Sequence, residues 1–411
     1  MKTINITQTL SSASMGILLM LSSPAFAQSN DWAPITGADN LSKFMSGLTI
    51  ERKLPSGELS TGEYHADGTG VLFSWGVSYP RTWRIEGDDQ VCITAEKESQ
   101  CYQYEQNSSD PELYRGRVSS GGEWVEFRST GGRAVVTNPE QETGSKGSAA
   151  TPTAAEIAAE LSNPNTPMGT LNTNFDFIKY DGDLPGAEDE SAFKIVFQPS
   201  LPYPLGGGKN FFVRPAIPII LKQPVPAAGG GFESTDVELG DIGFDASVGF
   251  SFKTDAGANV LIAGTAGLLP TATDDAIGLD QWLFGPELGG FIVRKWGAIG
   301  IIGSHQWDVA GDDSFDTSIT AGQYIYTFNL TKGWQITGSP FWSYNHKADS
   351  DDAWMFSVGG GVAKTAVIRG RPWKMSVQYL NYIERADAFA PEHQIRFTVG
   401  PVVKLPWKGR G

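Results

Sequence analysis

From Ile242 to Phe252 the chain alternates with a period of two. Ile242, Phe244, Ala246, Val248, Phe250 and Phe252 take one side, and Gly243, Asp245, Ser247, Gly249 and Ser251 take the other. This is the periodicity of a β-strand with one apolar and one polar face. The polar side, which Asp241 extends, carries carboxylates and little bulk, as a water-facing lumen does. Similar segments recur about twelve times, centred on 172–178, 191–201, 210–220, 239–252, 259–268, 282–293, 298–307, 318–330, 334–342, 354–362, 373–382 and 394–405. Most are near the roughly 9–11 residues that a tilted strand needs to cross a bilayer. The pattern predicts an all-β chain dominated by an antiparallel transmembrane barrel of about twelve strands over 171–411, with both ends on one side. Pro199, Pro215, Pro218, Pro286, Pro340 and Pro401 fall inside these segments and blur their limits.

The region before the barrel has a different texture. A helical pattern over 38–48 precedes brief strands at 70–75, 81–85, 90–94, 101–106 and 124–128, punctuated by Gly and Asp. Trp83, Ile85, Val91 and Ile93 are candidates for a small core. This predicts a small antiparallel β domain over 28–137, too charged and irregular for a membrane wall. Residues 138–153 are rich in Gly, Ser, Thr and Ala and read as a flexible linker. Residues 154–161 have helical composition and stop before Asn163-Pro164, so 138–170 is expected to be a linker with a short helix. At the front, Lys2, an apolar run at 15–21 and Ala25-Phe26-Ala27 form an export signal over 1–27. The small domain is therefore expected in the periplasm and the barrel in the outer membrane.

Composition narrows the function. The formal net charge is −15, which argues against nucleic acid as a partner. Both cysteines, Cys92 and Cys101, lie in the small domain, and in an oxidising compartment they are expected to form a disulfide. Closing so short a loop contributes about 2–3 kcal/mol in the chain-entropy model. No histidine is close enough in sequence to complete a familiar metal-ligand set, so neither a metal nor a cofactor is expected.

Charge is also sorted along the barrel. With the first strand running outward, the outer connections (181–190, 222–238, 269–280, 308–316, 345–352 and 383–393) are long and strongly acidic. The inner connections (202–209, 253–258, 294–297, 331–333 and 365–371) are mostly shorter and net basic. A soluble sandwich has no reason to sort its loops in this way. Trp282, Trp307, Trp334, Trp342, Trp354 and Trp373 fall near strand ends, where amphipathic rings favour a membrane boundary.

Particular residues carry a resemblance over about 160–405. They are Asn163-Pro164, Leu239-Gly240-Asp241, Leu269-Pro270-Thr271-Ala272-Thr273-Asp274, Gly285-Pro286, Val309-Ala310-Gly311, Gly333-Trp334 with Ser339-Pro340, and Gly359-Gly360-Gly361-Val362 with Lys364. In this order and spacing the chain resembles the outer-membrane barrel family named for the meta-pathway of phenol degradation, whose members are labelled as transporters. The resemblance implies an outer-membrane barrel and passage of small organic molecules, and it supplies no catalytic residues. The tail after Leu405 departs from the aromatic ending common in such barrels. The amino-terminal region resembles small secreted bacterial domains of unknown function, through Trp-Arg-Ile-Glu-Gly-Asp followed by Cys, a spacer and Cys-Tyr.

With apolar positions facing lipid, the lumen receives Lys194, Arg214, Asp241, Asp245, Glu287, Lys374 and Arg396, together with Asn172, Asn174, Gln198, Gln335 and Thr398. Asp241 and Asp245 follow the strand that bears Arg214, so cross-strand pairing is expected. The charges either select solutes in an open pore or lock a filled interior. Enzymatic chemistry has one local candidate, Ser304-His305, but adjacent strand residues face opposite ways and cannot pair as nucleophile and base. The chain is accordingly expected not to be an enzyme. The acidic groups at 308–313 and 349–352 lack EF-hand spacing and read as solvated surface. The reading is a channel or transporter for small, aromatic or hydrophobic molecules, with outer-membrane lipids and lipopolysaccharide as surroundings. The alternative is an interaction protein, in which the barrel anchors a domain that binds a periplasmic partner.

Overall fold

The protein is described by a computed structural model covering residues 31–96, 98–130, 133–136 and 151–407. The expected export signal and most of the Gly/Ser-rich linker lie outside these residues. Two large sheets account for nearly all of the regular structure.

The amino-terminal sheet contains β1 (Trp32–Pro34), β2 (Thr49–Lys53), β3 (Leu59–Tyr64), β4 (Thr69–Ser74), β5 (Val77–Glu86), β6 (Gln90–Ala95), β7 (Glu98–Asn107), β8 (Leu113–Val118), β9 (Val125–Thr130) and β10 (Arg133–Val136). Helix α1 (Ala38–Met45) joins β1 to β2. Pairing runs β1-β7-β6-β5-β4-β3-β2-β10-β9-β8, and β7 also pairs with β8, so the sheet curls back on itself. All contacts are antiparallel except β10 with β2. Helix α1 supplies Leu41 and Met45, each 0 % exposed, to a core with Tyr64, Trp83, Val91 and Ile93. Ile85, also expected in that core, packs at its edge. Cys92 and Cys101 face each other across β6 and β7 and are joined by a disulfide with Cα atoms 3.9 Å apart.

The second sheet is a closed twelve-strand barrel. Its strands are β11 (Gly169–Asp181), β12 (Ser191–Ser200), β13 (Lys209–Lys222), β14 (Ile242–Thr254), β15 (Gly257–Leu269), β16 (Gln281–Arg294), β17 (Gly297–Gly311), β18 (Ser318–Asn329), β19 (Trp334–Gly338 with Phe341–Asn345), β20 (Trp354–Ile368), β21 (Arg371–Glu384) and β22 (Ala390–Val403). Each strand pairs antiparallel with its sequence neighbours, and β11 pairs with β22 to close the ring, with Asp176 opposite Arg396. All twelve alternating segments of the sequence correspond to these strands, although most strands run longer than the alternation alone marks.

Faces follow the alternation. On β16, Leu288 is 64 % exposed while its neighbour Glu287 is 8 % exposed, so the apolar row points away from the axis. The exposed row continues around the wall through Phe177, Ile301, Ile336, Val362 and Phe397, with Trp282, Trp307, Trp334 and Trp354 exposed near strand ends. Trp342 is more covered: its ring lies over Gly303 and Gly322, where an added Cβ would come within 3.0 and 2.8 Å of it. Among the described residues no helix is long and apolar enough to cross a membrane.

The prolines sit where pairing is interrupted or unneeded. Pro286 occupies a gap in the β16–β17 register, between Phe284 and Glu287. Pro340 falls in the break that divides β19. Pro215 pairs towards β14, and β12 pairs with β13 only from Ile217 onward. A residue without an N–H is tolerated at such places because no ladder hydrogen bond is lost.

Helix α2 (Ala154–Glu160) lies between the two sheets. Thr153 caps it through a reciprocal capping box with Glu156, which satisfies two donors that a helix start otherwise leaves open. Ile157 and Met168 share an apolar cluster with Leu72, Trp75 and Tyr79 of the amino-terminal sheet and Val402 of the barrel. Residues 153–168 therefore pack against both sheets; the sequence marked the short helix but not its docking.

Candidate transport lumen and its plug

Two ion clusters line the lumen. In the first, Arg214 Nε donates to both oxygens of Asp245, at 2.9 and 3.0 Å. Glu287 completes it, 3.8 Å from Arg214 Nη2 and accepting from Ser247 Oγ at 2.7 Å. In the second, Arg396 makes a two-point contact with Asp176, Nε to Oδ1 at 2.6 Å and Nη2 to Oδ2 at 3.0 Å. Fork-to-fork pairing of this kind fixes geometry as well as charge. Lys194 stands opposite Asp176 in the β11–β12 register. Thr398 Oγ1 donates to Asn174 Oδ1 at 2.8 Å beside it.

The other predicted lumen residues are more scattered. Lys374 lies on the inward row of β21 opposite Thr365 and Gly400, and no carboxylate pairs with it among the described residues. Asn172 and Gln198 face each other across β11 and β12. Asp241 does not join Arg214. Its Oδ1 accepts the backbone N–H groups of Thr271 and Ala272, each at 3.0 Å, and its Oδ2 accepts that of Leu279 at 2.8 Å. It sits just before β14 and ties down the outer connection 269–280, because its carboxylate accepts from three backbone donors of that loop.

Asp176 was absent from the sequence-derived set, although the alternation through Asn172 and Asn174 leads directly to it. The apolar part of the lumen was also missed. Val260, Ile262 and Phe291 form a buried cluster with Ile302 and Ile325 packed against it, and Phe212 is 1 % exposed nearby on the inward row of β13. These residues lie near the inner ends of their strands. The lumen thus carries aliphatic and aromatic side chains toward its inner end and paired charges farther along, on some of the same strands: Phe212 and Arg214 share β13, and Phe291 and Glu287 share β16.

The segment after α2 closes the inner mouth beneath this apolar level. Gln335 Nε2 donates to Ala158 O at 2.9 Å and to Ser162 Oγ at 2.8 Å, holding one end against β19. Across the mouth, Asn165 Nδ2 donates to Gly208 O at 2.9 Å and Ser251 Oγ at 2.8 Å. Asn210 Nδ2 donates to Asn165 O at 2.7 Å. Gly249 makes the approach possible, since a Cβ there would lie 2.3 Å from Asn165 Oδ1. From below, Arg81 of β5 pairs with Glu156 through Nη1–Oε1 at 2.5 Å and Nη2–Oε2 at 3.0 Å, both side chains buried. Enclosure raises the Glu160 carboxyl above its ordinary value, against the lowering effect of hydrogen bonds from Thr166 and Asn163. None of the links from the plug to the two sheets had a local signal, because their partners are 43 to 177 residues apart.

Ser304 and His305 face opposite sides of the wall. Ser304 accepts from Gln306 Nε2 at 2.9 Å on the lumen side, while His305 Nδ1 meets Thr320 Oγ1 at 2.8 Å on the outer face. Thr320 Oγ1 also contacts His346 Nε2 at 2.8 Å. In the amino-terminal sheet, Glu86 stands close to Cys92 and Cys101, but the two sulfurs are joined to each other and cannot serve as thiolate ligands.

No protein-family model matches the chain, and no curated protein is similar to it. Among solved structures it is similar to an outer membrane channel from Pseudomonas putida, with 11 % identity and a TM-score of 0.45 over 58 % of this chain and 96 % of that one.

Proposed function

We propose that the protein is an outer-membrane channel or transporter for small organic molecules with an aromatic or aliphatic body, shut at its inner mouth by residues 153–168. The observation that carries this reading is a lumen with an apolar level beside a charged one. Ligand sites for such molecules combine an apolar lining with a few placed polar groups, and here Phe212, Ile262 and Phe291 share one interior with Arg214–Asp245–Glu287 and Asp176–Arg396. The apolar belt outside and the acidic outer connections support an outer-membrane setting, with the amino-terminal sheet on the periplasmic side. Ile157, Met168 and the buried Arg81–Glu156 pair hold the plug to the amino-terminal sheet, while at the barrel mouth it is held chiefly by hydrogen bonds, which exchange with water at modest net cost. A segment held in this way can leave the mouth without unmaking the wall.

The test is solute uptake by proteoliposomes that contain the full chain. The reading predicts faster entry of small aromatic solutes than of equally sized sugars. Uptake no faster than in protein-free vesicles, under conditions that release the plug, would remove it. The interaction-protein alternative draws on the filled interior and on the tight seating of the amino-terminal sheet at the plug. Deleting 31–136 separates the two: a channel gains leak when its plug loses that support, and a pure anchor gains none.

A further inference from the structure

At the outer end of the barrel a groove of about 320 Å³ is cut into the lipid-facing wall, where β11 and β12 meet β21 and β22. Its floor is apolar: Phe177 stacks on Phe193 with ring centroids 4.4 Å apart, and Ile395 lies beside them. Lys179 and Lys222 border it, as does His393, whose Nδ1 is 2.8 Å from the Tyr379 hydroxyl. The register brings these groups together. Phe177 is opposite both Phe193 and Ile395, and Lys179 is opposite both Ser191 and His393, so each row points the same way off the wall.

Charge singles out the groove. The outer connections are acidic, and the other cations at that end have carboxylate partners, Lys347 with Asp316 at 2.9 Å and Arg385 with Asp181 at 2.5 Å. Lys179 and Lys222 are exposed and make no ion pair among the described residues. Lys222 Nζ reaches only Ser191 Oγ, at 3.4 Å. Glu392, beside His393, is engaged by His393 at 3.5 Å and Arg385 at 3.8 Å. Two cations without counter-charges stand directly above an apolar floor that faces lipid.

We propose that this groove binds a phosphorylated glycolipid of the outer leaflet. An acyl chain lies along Phe177, Phe193 and Ile395, and a phosphate sits between Lys179 and Lys222 with the Tyr379–His393 pair at its edge. Acyl burial and basic side chains at headgroup height act together in such recognition. The proposal rests on the outer-membrane placement argued above.

The experiment is native mass spectrometry of the detergent-purified full chain, titrated with diphosphoryl lipid A, dephosphorylated lipid A and phosphatidylglycerol. The expected result is one retained diphosphoryl lipid A, with retention on the order of tenfold or more weaker for the dephosphorylated form and for K179Q/K222Q. Retention that ignores the phosphates or the two lysines overturns the proposal, and equal retention of phosphatidylglycerol overturns the choice of occupant. Heat-dependent gel mobility of the same samples keeps the two failures apart. A barrel that shifts on boiling yet shows no lipid preference defeats only this inference, whereas a chain that shows no shift defeats the placement beneath it.

Discussion

At the residue scale, the buried Arg81–Glu156 pair controls how the amino-terminal sheet seats on the plug. Two charges are removed from water there, and their attraction offsets that cost only while both are present. Glu156→Gln keeps the capping-box acceptor of α2 but removes the charge that Arg81 meets. The sheet is expected to lose about 3–5 kcal/mol of docking stability, read as a lower urea midpoint for Trp fluorescence; an unchanged midpoint would mean the pair is energetically idle. Glu160 adds a pH dependence. Its folded value is raised, so the packed state binds the proton more tightly than the released one. Stability from this group is therefore fully present below about 4.5, the ordinary value, and is lost as pH rises through the raised value. Hydrogen exchange of 153–168, corrected for intrinsic rates, should accelerate from pH 5 to pH 8, and Glu160→Gln should flatten that trend. Of these residues only the capping signature Thr153-x-x-Glu156 is written locally in the sequence. Arg81 and Glu160 acquire their roles from enclosure, which a one-dimensional pattern does not carry.

At the scale of elements, the plug is the part that sequence reading placed without understanding. Its Gly/Ser-rich approach reads as a linker because composition reports flexibility of a free chain and says nothing of docking. The barrel strands were legible for the opposite reason, since a wall with lipid on one side and lumen on the other forces a period of two over most of each strand. Asp241 shows where that period misleads: it has lumen parity, but it sits at a strand end where unpaired loop amides compete for its carboxylate. The plug itself should loosen when its anchors are trimmed. Asn165→Ala with Gln335→Ala deletes five hydrogen bonds between plug and barrel, together about 2.5–7.5 kcal/mol at about 0.5–1.5 each. Proteolysis within 161–168 should become faster while the barrel remains resistant, and equal protection of that segment in the variant would contradict the anchoring described here. The disulfide belongs to the other sheet. Replacing Cys92 and Cys101 by Ser is expected to lower that sheet's stability by about 2–3 kcal/mol and to leave the heat-dependent mobility of the barrel unchanged.

At the scale of the whole molecule, acid collects at one end and base at the other, two ion clusters brace one side of the lumen, and the amino-terminal sheet presses a plug into the inner mouth. The sorting of loop charge and the inward row of Arg214, Asp245, Glu287 and Arg396 could be read from the sequence, because they follow from loop order and strand parity. The apolar level was missed although Phe212 shares the parity of Arg214 and Phe291 that of Glu287, because parity was followed only through the polar residues. In the proposed function these parts make a path that is closed at rest and opened by displacing 153–168. Planar-bilayer conductance of the wild type against the Asn165→Ala/Gln335→Ala variant tests that claim most directly. The account predicts rare, brief openings for the wild type and sustained conductance for the variant. Equal currents from the two proteins, whether both silent or both open, would contradict it.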